Sequence, residues 1–130
     1  MNIMIIDDHD IALLAMQHQF MNVGFDSKKI LIPSGFTALE YISNNLNNFS
    51  KLPRIILLDI QMPVLDGKMF LSKFSEIQNQ LPFKIFLFVV TANDFDLTML
   101  PKEHARLVTK SYKKPLNKVD ILEIINLSRQ

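Results

Sequence analysis

Two stretches of this sequence, Ile55–Leu58 and Ile85–Val90, are apolar at every position. A strand with one face in water alternates apolar and polar side chains. A strand without that alternation must be covered on both faces, as strands inside a parallel sheet are. Three further short runs, Asn2–Ile6, Ile30–Ile32 and Leu107–Tyr112, complete a set of five candidate strands.

Helical patterns lie between these runs. Asp10–Val23 carries Ile11, Leu14, Ala15 and Phe20 as its apolar side and meets a stop signal at Gly24. Phe36–Leu46 carries Phe36, Leu39 and Ile42, and Lys68–Ile77 carries Phe70, Leu71, Phe74 and Ile77 in a one-sided stripe. Lys118–Leu127 carries Val119, Ile121, Leu122 and Ile125. Pro101 interrupts Ala92–Arg106, so a short helix before it and a second turn after it are expected there. Asn44–Pro53 is rich in Asn and Ser and reads as a helix end followed by a loop. Strands alternating with helices imply right-handed βαβ units, a parallel sheet and a three-layer α/β sandwich. A chain of 130 residues suits one such domain.

The totals narrow the function. The net charge is +1, without the basic excess of a nucleic-acid binder. There is no cysteine, which excludes disulfides and thiolate metal sites. No apolar stretch approaches the roughly eighteen residues of a membrane span, and the N-terminus lacks the basic start and cleavage site of a signal peptide. A cytoplasmic protein, binding neither nucleic acid nor membrane, is expected.

In an open α/β sheet, ligands collect at the carboxyl ends of the strands. The polar residues fall there. Asp7 and Asp8 end the first strand, Asp59 the third, Thr91 and Ala92 the fourth, and Lys114 with Pro115 the fifth. A single charge at a strand end is ordinarily just solvated, but a coincidence of four strand ends is not explained that way. Three carboxylates brought together repel one another unless a cation joins them. An all-oxygen set suits Mg2+, which keeps several of its waters. One oxygen of Asp59 is then free to attack a phosphoryl group. Magnesium, Lys114, the Thr91 hydroxyl and a backbone N–H are placed to offset the charge on the phosphoryl oxygens.

Asp7-Asp8 after an apolar strand, Asp59 after Ile-Ile-Leu-Leu, Met62-Pro63, Asp66-Gly67, Thr91-Ala92 and Lys114-Pro115 together resemble the receiver domains of two-component response regulators. The resemblance runs from Asn2 to about Leu127. It implies a flavodoxin-like, doubly wound (βα)5 sandwich whose five-stranded parallel sheet has the order 2-1-3-4-5. It implies Asp59 as phosphoacceptor, Asp8 as a direct metal ligand, Asp7 as a ligand through water and the backbone carbonyl of Gln61 as the third protein ligand. Thr91 and Lys114 contact the phosphoryl group, and a cis Lys114–Pro115 bond aims Lys114 inward. Pro63 stiffens the loop after Asp59, Gly67 permits a turn where the next helix begins, and Asp66 suits the positive end of that helix. His9 reads as a helix-start residue, and His18 and His104 have no companion ligands. Gln61 and Asn93, two residues past Asp59 and Thr91, sit where receivers tune hydrolysis of the acyl phosphate.

The chain departs from the family at several points. Receivers commonly carry an aromatic residue three positions before the lysine; here that position is Ser111, and Tyr112 follows it. Either a one-residue bulge re-aims Tyr112 or the usual aromatic switch is missing. Asp8 to Asp59 is a long interval for the family, with the extra residues in Asn44–Pro53.

The expected partners are a sensor histidine kinase or histidine phosphotransfer domain as donor and a downstream protein as target. A homodimer through the fourth helix and fifth strand is a further option. With no output domain expected beyond Leu127, signalling is expected through partner binding or a phosphorelay. Two other functional classes compete with this reading. A receiver-fold interaction module independent of phosphate draws support from the displaced aromatic and Pro101. A haloacid-dehalogenase-type phosphatase needs a second aspartate where Gln61 stands, and an amide does not serve as its general acid.

Overall fold

The computed structural model describes residues 1–62 and 66–130. Five strands, β1 (Asn2–Ile6), β2 (Lys28–Ile32), β3 (Ile55–Leu58), β4 (Phe86–Thr91) and β5 (Val108–Lys113), form one parallel sheet of order β2-β1-β3-β4-β5. All four residues of β3 are buried, as its unbroken apolarity requires. Strand β2 lies at an edge beside β1 and is mostly half-exposed, which fits its lysines.

Among the described residues five α-helices flank the sheet: α1 (Asp10–Asn22), α2 (Gly35–Asn44), α3 (Gly67–Ile77), α4 (Lys102–Ala105) and α5 (Lys118–Leu127). The alternating direction of the strand side chains divides the core in two. Ile3, Ile5, Leu57, Phe88 and Val90 face α1 and α5, while Met4, Ile6, Ile56, Leu58 and Val89 face α2 and α3. Local signals start the helices. The Ser34 hydroxyl accepts from Thr37 N, the Asp66 carboxylate accepts from Met69 N, and Asn117 with Asp120 forms a reciprocal capping box. Gly24 follows α1 with φ of 74°, in the left-handed region that glycine tolerates. Pro101 divides its region as expected: a 3-10 turn at Leu97–Met99 precedes it and the four-residue α4 follows. The long interval before β3 holds a 3-10 turn at Phe49–Lys51.

Three helical faces differ from expectation. Leu13, Met16 and Phe20 are the buried residues of α1, whereas Ile11 and Leu14 are exposed. On α5 the buried residues are Ile121, Ile124 and Ile125, with Val119 and Leu122 outside. Phe36 of α2 is also exposed. These helices are apolar on more than one side, so periodicity alone does not single out the inward face. No helix among the described residues is long and apolar enough to cross a membrane.

β5 contains a bulge. Leu87 pairs with Val108, but Phe88 pairs with Lys110, so Thr109 is left out of the ladder. The extra residue reverses the side-chain alternation. Val108 packs in the α2–α3 core and Tyr112 in the α1–α5 core, where its ring lies 6.1 Å from that of Phe88 and its hydroxyl donates to Glu123 Oε1 at 2.6 Å. The bulge therefore re-aims Tyr112, but away from the switch side. Ser111, opposite Val89, occupies the position three before Lys114.

Candidate functional site

The carboxyl edge of the sheet gathers the expected residues because each continues the ladder of a strand. Asp7 N donates to Ile32 O at 3.1 Å, Asp59 N to Ile6 O at 2.9 Å and Lys114 N to Thr91 O at 2.9 Å. The side chains are consequently set by the sheet register. Asp7 is wholly buried, Asp59 and Thr91 nearly so, and Asp8 is partly open to solvent.

Lys114 Nζ donates to Asp7 Oδ2 and lies 3.4 Å from Asp59 Oδ2. The Lys114–Pro115 bond is cis. Asp59 Oδ1 accepts from Gln61 N at 3.0 Å, so both oxygens of this carboxylate have donors. Even so, burial pushes the Asp59 carboxyl above its ordinary range, with Asp7 adding repulsion, against the opposing pull of the Gln61 N–H and Lys114. Asp7 Oδ1 accepts from His9 N at 2.9 Å. The His9 ring stands 3.3 Å from Asp7 Oδ1 and 3.2 Å from Asp8 Oδ1 at the start of α1.

One ligand atom from each of Asp7, Asp8, His9 and Asp59 falls within 4.8 Å of the others. Asp8 Oδ1 is buried and accepts no hydrogen bond among the described residues, its one near neighbour being the His9 ring nitrogen at 3.2 Å. A buried carboxylate oxygen without a donor is costly, and a hard cation among these oxygens satisfies it. The donor set fits a divalent ion. His18 and His104 lie outside this cluster.

Thr91 Oγ1 accepts weakly from Asn93 N at 3.4 Å, and Asn93 Nδ2 donates to Gln61 Oε1. The two amides singled out in the sequence thus meet across the mouth of the pocket. A cavity of about 430 Å3 reaches from Asp59, Thr91 and Lys114 to Ile11, Ala12 and Ala15 of α1. Gly67, expected to permit a turn, has another job. A Cβ there lies only 2.5 Å from Ile60 Cα and 2.8 Å from Asp59 O, so its lack of a side chain lets α3 close against the Asp59 loop. Pro63 lies outside the described residues. Sequence reasoning missed two participants, Asp94, which pairs with Lys113 Nζ at 3.2 Å, and Phe95, which walls the pocket. An aromatic residue set among Asn93, Asp94 and Asp96 was the available signal for the second.

A doubly wound sheet with an aspartate cluster, a buried threonine and a lysine at its carboxyl edge defines a class of phosphorylatable signalling domains. The chain belongs to the response regulator receiver domain family, whose model matches residues 3–126. It is 24% identical over 119 residues to the probable methanogenesis regulatory protein FilR2 of Methanothrix harundinacea, covering 92% of this chain and 75% of that protein. A two-component response regulator from Legionella pneumophila superposes with a TM-score of 0.80 at 22% identity, covering 98% of this chain and 97% of that one. A CheY-like receiver domain from Methanospirillum hungatei gives 0.74 at 21%, covering 99% and 98%. Phosphorylation and Mg2+ binding at an acidic pocket are general in this family.

Proposed function

We propose that this receiver accepts a phosphoryl group on Asp59 in a Mg2+-dependent reaction and signals by changed affinity for a partner protein. The observation that carries the reading is the approach of Lys114 Nζ to Asp59 Oδ2 within a pocket that also holds Asp7, Asp8 and Thr91. Asp8, Asp59 and the Gln61 backbone carbonyl would hold the cation directly, and Asp7 would hold it through water. When bound, Mg2+ neutralises charge on the phosphoryl oxygens.

The protein's own groups do the rest. The Gln61 N–H holds Asp59 Oδ1, which leaves Oδ2 to attack. An O–P bond forms at Oδ2 as the donor's P–N bond breaks, and the electron pair leaves with the donor imidazole. Lys114 and the Thr91 hydroxyl receive the phosphoryl oxygens. The clasped Gln61 and Asn93 side chains stand over the acyl phosphate and control access of the water that later hydrolyses it.

The donor is a phosphohistidine on a sensor kinase or a phosphotransfer domain. The exposed apolar residue Ile11 on α1 lines the cavity that opens onto Asp59, and a protein donor must cover that rim to reach the aspartate. Intact-mass spectrometry after incubation with acetyl phosphate tests the reading. A phosphoryl-sized gain is expected for wild type with Mg2+, and none for Asp59→Asn or without Mg2+. A folded wild type that neither gains mass nor binds beryllofluoride overturns the phosphoacceptor role and leaves the phosphate-independent interaction module.

A further inference from the structure

His9 occupies the N-cap position of α1, yet its side chain makes no capping bond to the helix. The ring is turned instead to the acidic cluster. Its Nδ1 lies 3.3 Å from Asp7 Oδ1 and 3.2 Å from Asp8 Oδ1. The His9 backbone N–H also donates to Asp7 Oδ1 at 2.9 Å, which fixes the main chain from which the ring projects. The two oxygens of Asp7 are thereby divided, Oδ2 to Lys114 and Oδ1 to His9.

These separations suit ligands of one ion. Bonds of about 2.1 Å put neighbouring ligand atoms about 3.0 Å apart in an octahedron and about 3.4 Å apart in a tetrahedron. The His9 ring nitrogen falls between those limits for both carboxylates. Together with one oxygen each of Asp7, Asp8 and Asp59 it forms a set whose members all lie within 4.8 Å of one another. Asp8 Oδ1 accepts no hydrogen bond among the described residues although the ring nitrogen is beside it, so that contact is proximity without a shared proton. The tautomer protonated at Nε2 offers Nδ1 as a lone pair. The ring is mostly exposed, so Nε2–H is free to bond to water.

Charge favours a neutral ligand at this point. Three carboxylates, Lys114 and a divalent ion already sum to zero, and a neutral imidazole adds a donor atom without adding charge. Imidazole is a poor match for Mg2+, which prefers oxygen and keeps its waters, and a good match for the later first-row ions.

We propose, resting on the reading that Asp8 and Asp59 hold a divalent ion, that His9 is a further metal ligand of this pocket. Through Nδ1 it takes a position that water fills around Mg2+, and it adds affinity for Co2+, Ni2+ and Zn2+ but none for Mg2+. The pocket then holds either Mg2+ or a later first-row ion, and the two kinds compete for Asp8 and Asp59.

Calorimetric titration of the whole chain with Co2+ and, separately, with Mg2+ tests this. Loss of a group that only orients a metal ligand costs about 10–100-fold in affinity, so His9→Ala is expected to weaken Co2+ binding at least about tenfold. Mg2+ binding should be unchanged. His18→Ala, outside the cluster, should change neither. The Co2+-loaded wild type is expected to show hyperfine-shifted imidazole resonances in its NMR spectrum, assigned to His9 by their loss in His9→Ala. This second readout needs no variant to establish that an imidazole is bound. Equal Co2+ affinity in wild type and His9→Ala, a parallel loss of Co2+ and Mg2+ binding, or a Co2+-loaded wild type without shifted imidazole resonances overturns the inference. A folded wild type that binds neither ion instead overturns the metal-site reading beneath it.

Discussion

Val108 and Tyr112 lie on the same strand, an even number of residues apart, yet they face opposite sides of the sheet. The unpaired Thr109 between them reverses the alternation. Tyr112 thereby becomes a core residue with one polar anchor, Glu123, which also pairs with Lys110. Burial first, then the bond to Glu123, holds the Tyr112 hydroxyl protonated well beyond its ordinary range.

Two substitutions separate packing from anchoring. Tyr112→Ala removes a ring packed near Phe88 and is expected to cost about 3–5 kcal/mol. Tyr112→Phe keeps the ring and loses only the bond to the partly exposed Glu123, a loss of about 1 kcal/mol. Urea denaturation measures both. Equal losses would show that the anchor, not the packing, holds this strand.

Gly67→Ala drives a methyl group against backbone atoms of Ile60 and Asp59. A destabilisation of roughly 2–3 kcal/mol is expected, with slower phosphorylation because the Asp59 loop must move. Thermal unfolding and acetyl phosphate kinetics check the two effects. A neutral result would mean that α3 shifts freely relative to β3.

The raised Asp59 pKa has a definite sign for stability. The folded state holds this proton to higher pH than the unfolded state does. In magnesium-free buffer wild-type stability therefore falls as pH rises from the ordinary carboxylate value through the folded one. Asp59→Asn removes that penalty and is expected to raise the melting temperature at neutral pH, with the difference vanishing in acid. A variant less stable than wild type at neutral pH would show that the Lys114 interaction outweighs burial.

Magnesium should stabilise the fold by mass action, by about 2.7 kcal/mol when its concentration is a hundred times the dissociation constant. Asp8→Asn weakens the ligand set and should lose most of that shift, while Asp94→Asn, outside the cluster, keeps it. A magnesium titration followed by thermal unfolding decides. A full shift in Asp8→Asn would exclude Asp8 as a ligand.

Much of this protein is legible in its sequence. Uninterrupted apolar runs at Ile55–Leu58 and Ile85–Val90 require strands covered on both faces, and the helices between them then impose a parallel sheet. Asp7, Asp59, Thr91 and Lys114 follow as neighbours because strand ends on one sheet edge meet whatever their separation in the chain. The inward faces of α1 and α5 are not legible. Ile11 and Val119 are as apolar as Leu13 and Ile121, and only packing against the sheet distinguishes them.

The sequence by itself determined the strands, the order of acidic, hydroxyl and basic residues at their ends, and the family those residues define. The tertiary structure alone decided where β5 bulges, because an extra residue is visible only against its partner strand. That register shift puts Ser111 opposite Val89 and turns Tyr112 into the α1–α5 core. Side-chain alternation has a period of two, so one unpaired residue changes the face of every residue after it. No local pattern in Val108–Lys113 records that change, since it is set by hydrogen bonds to β4.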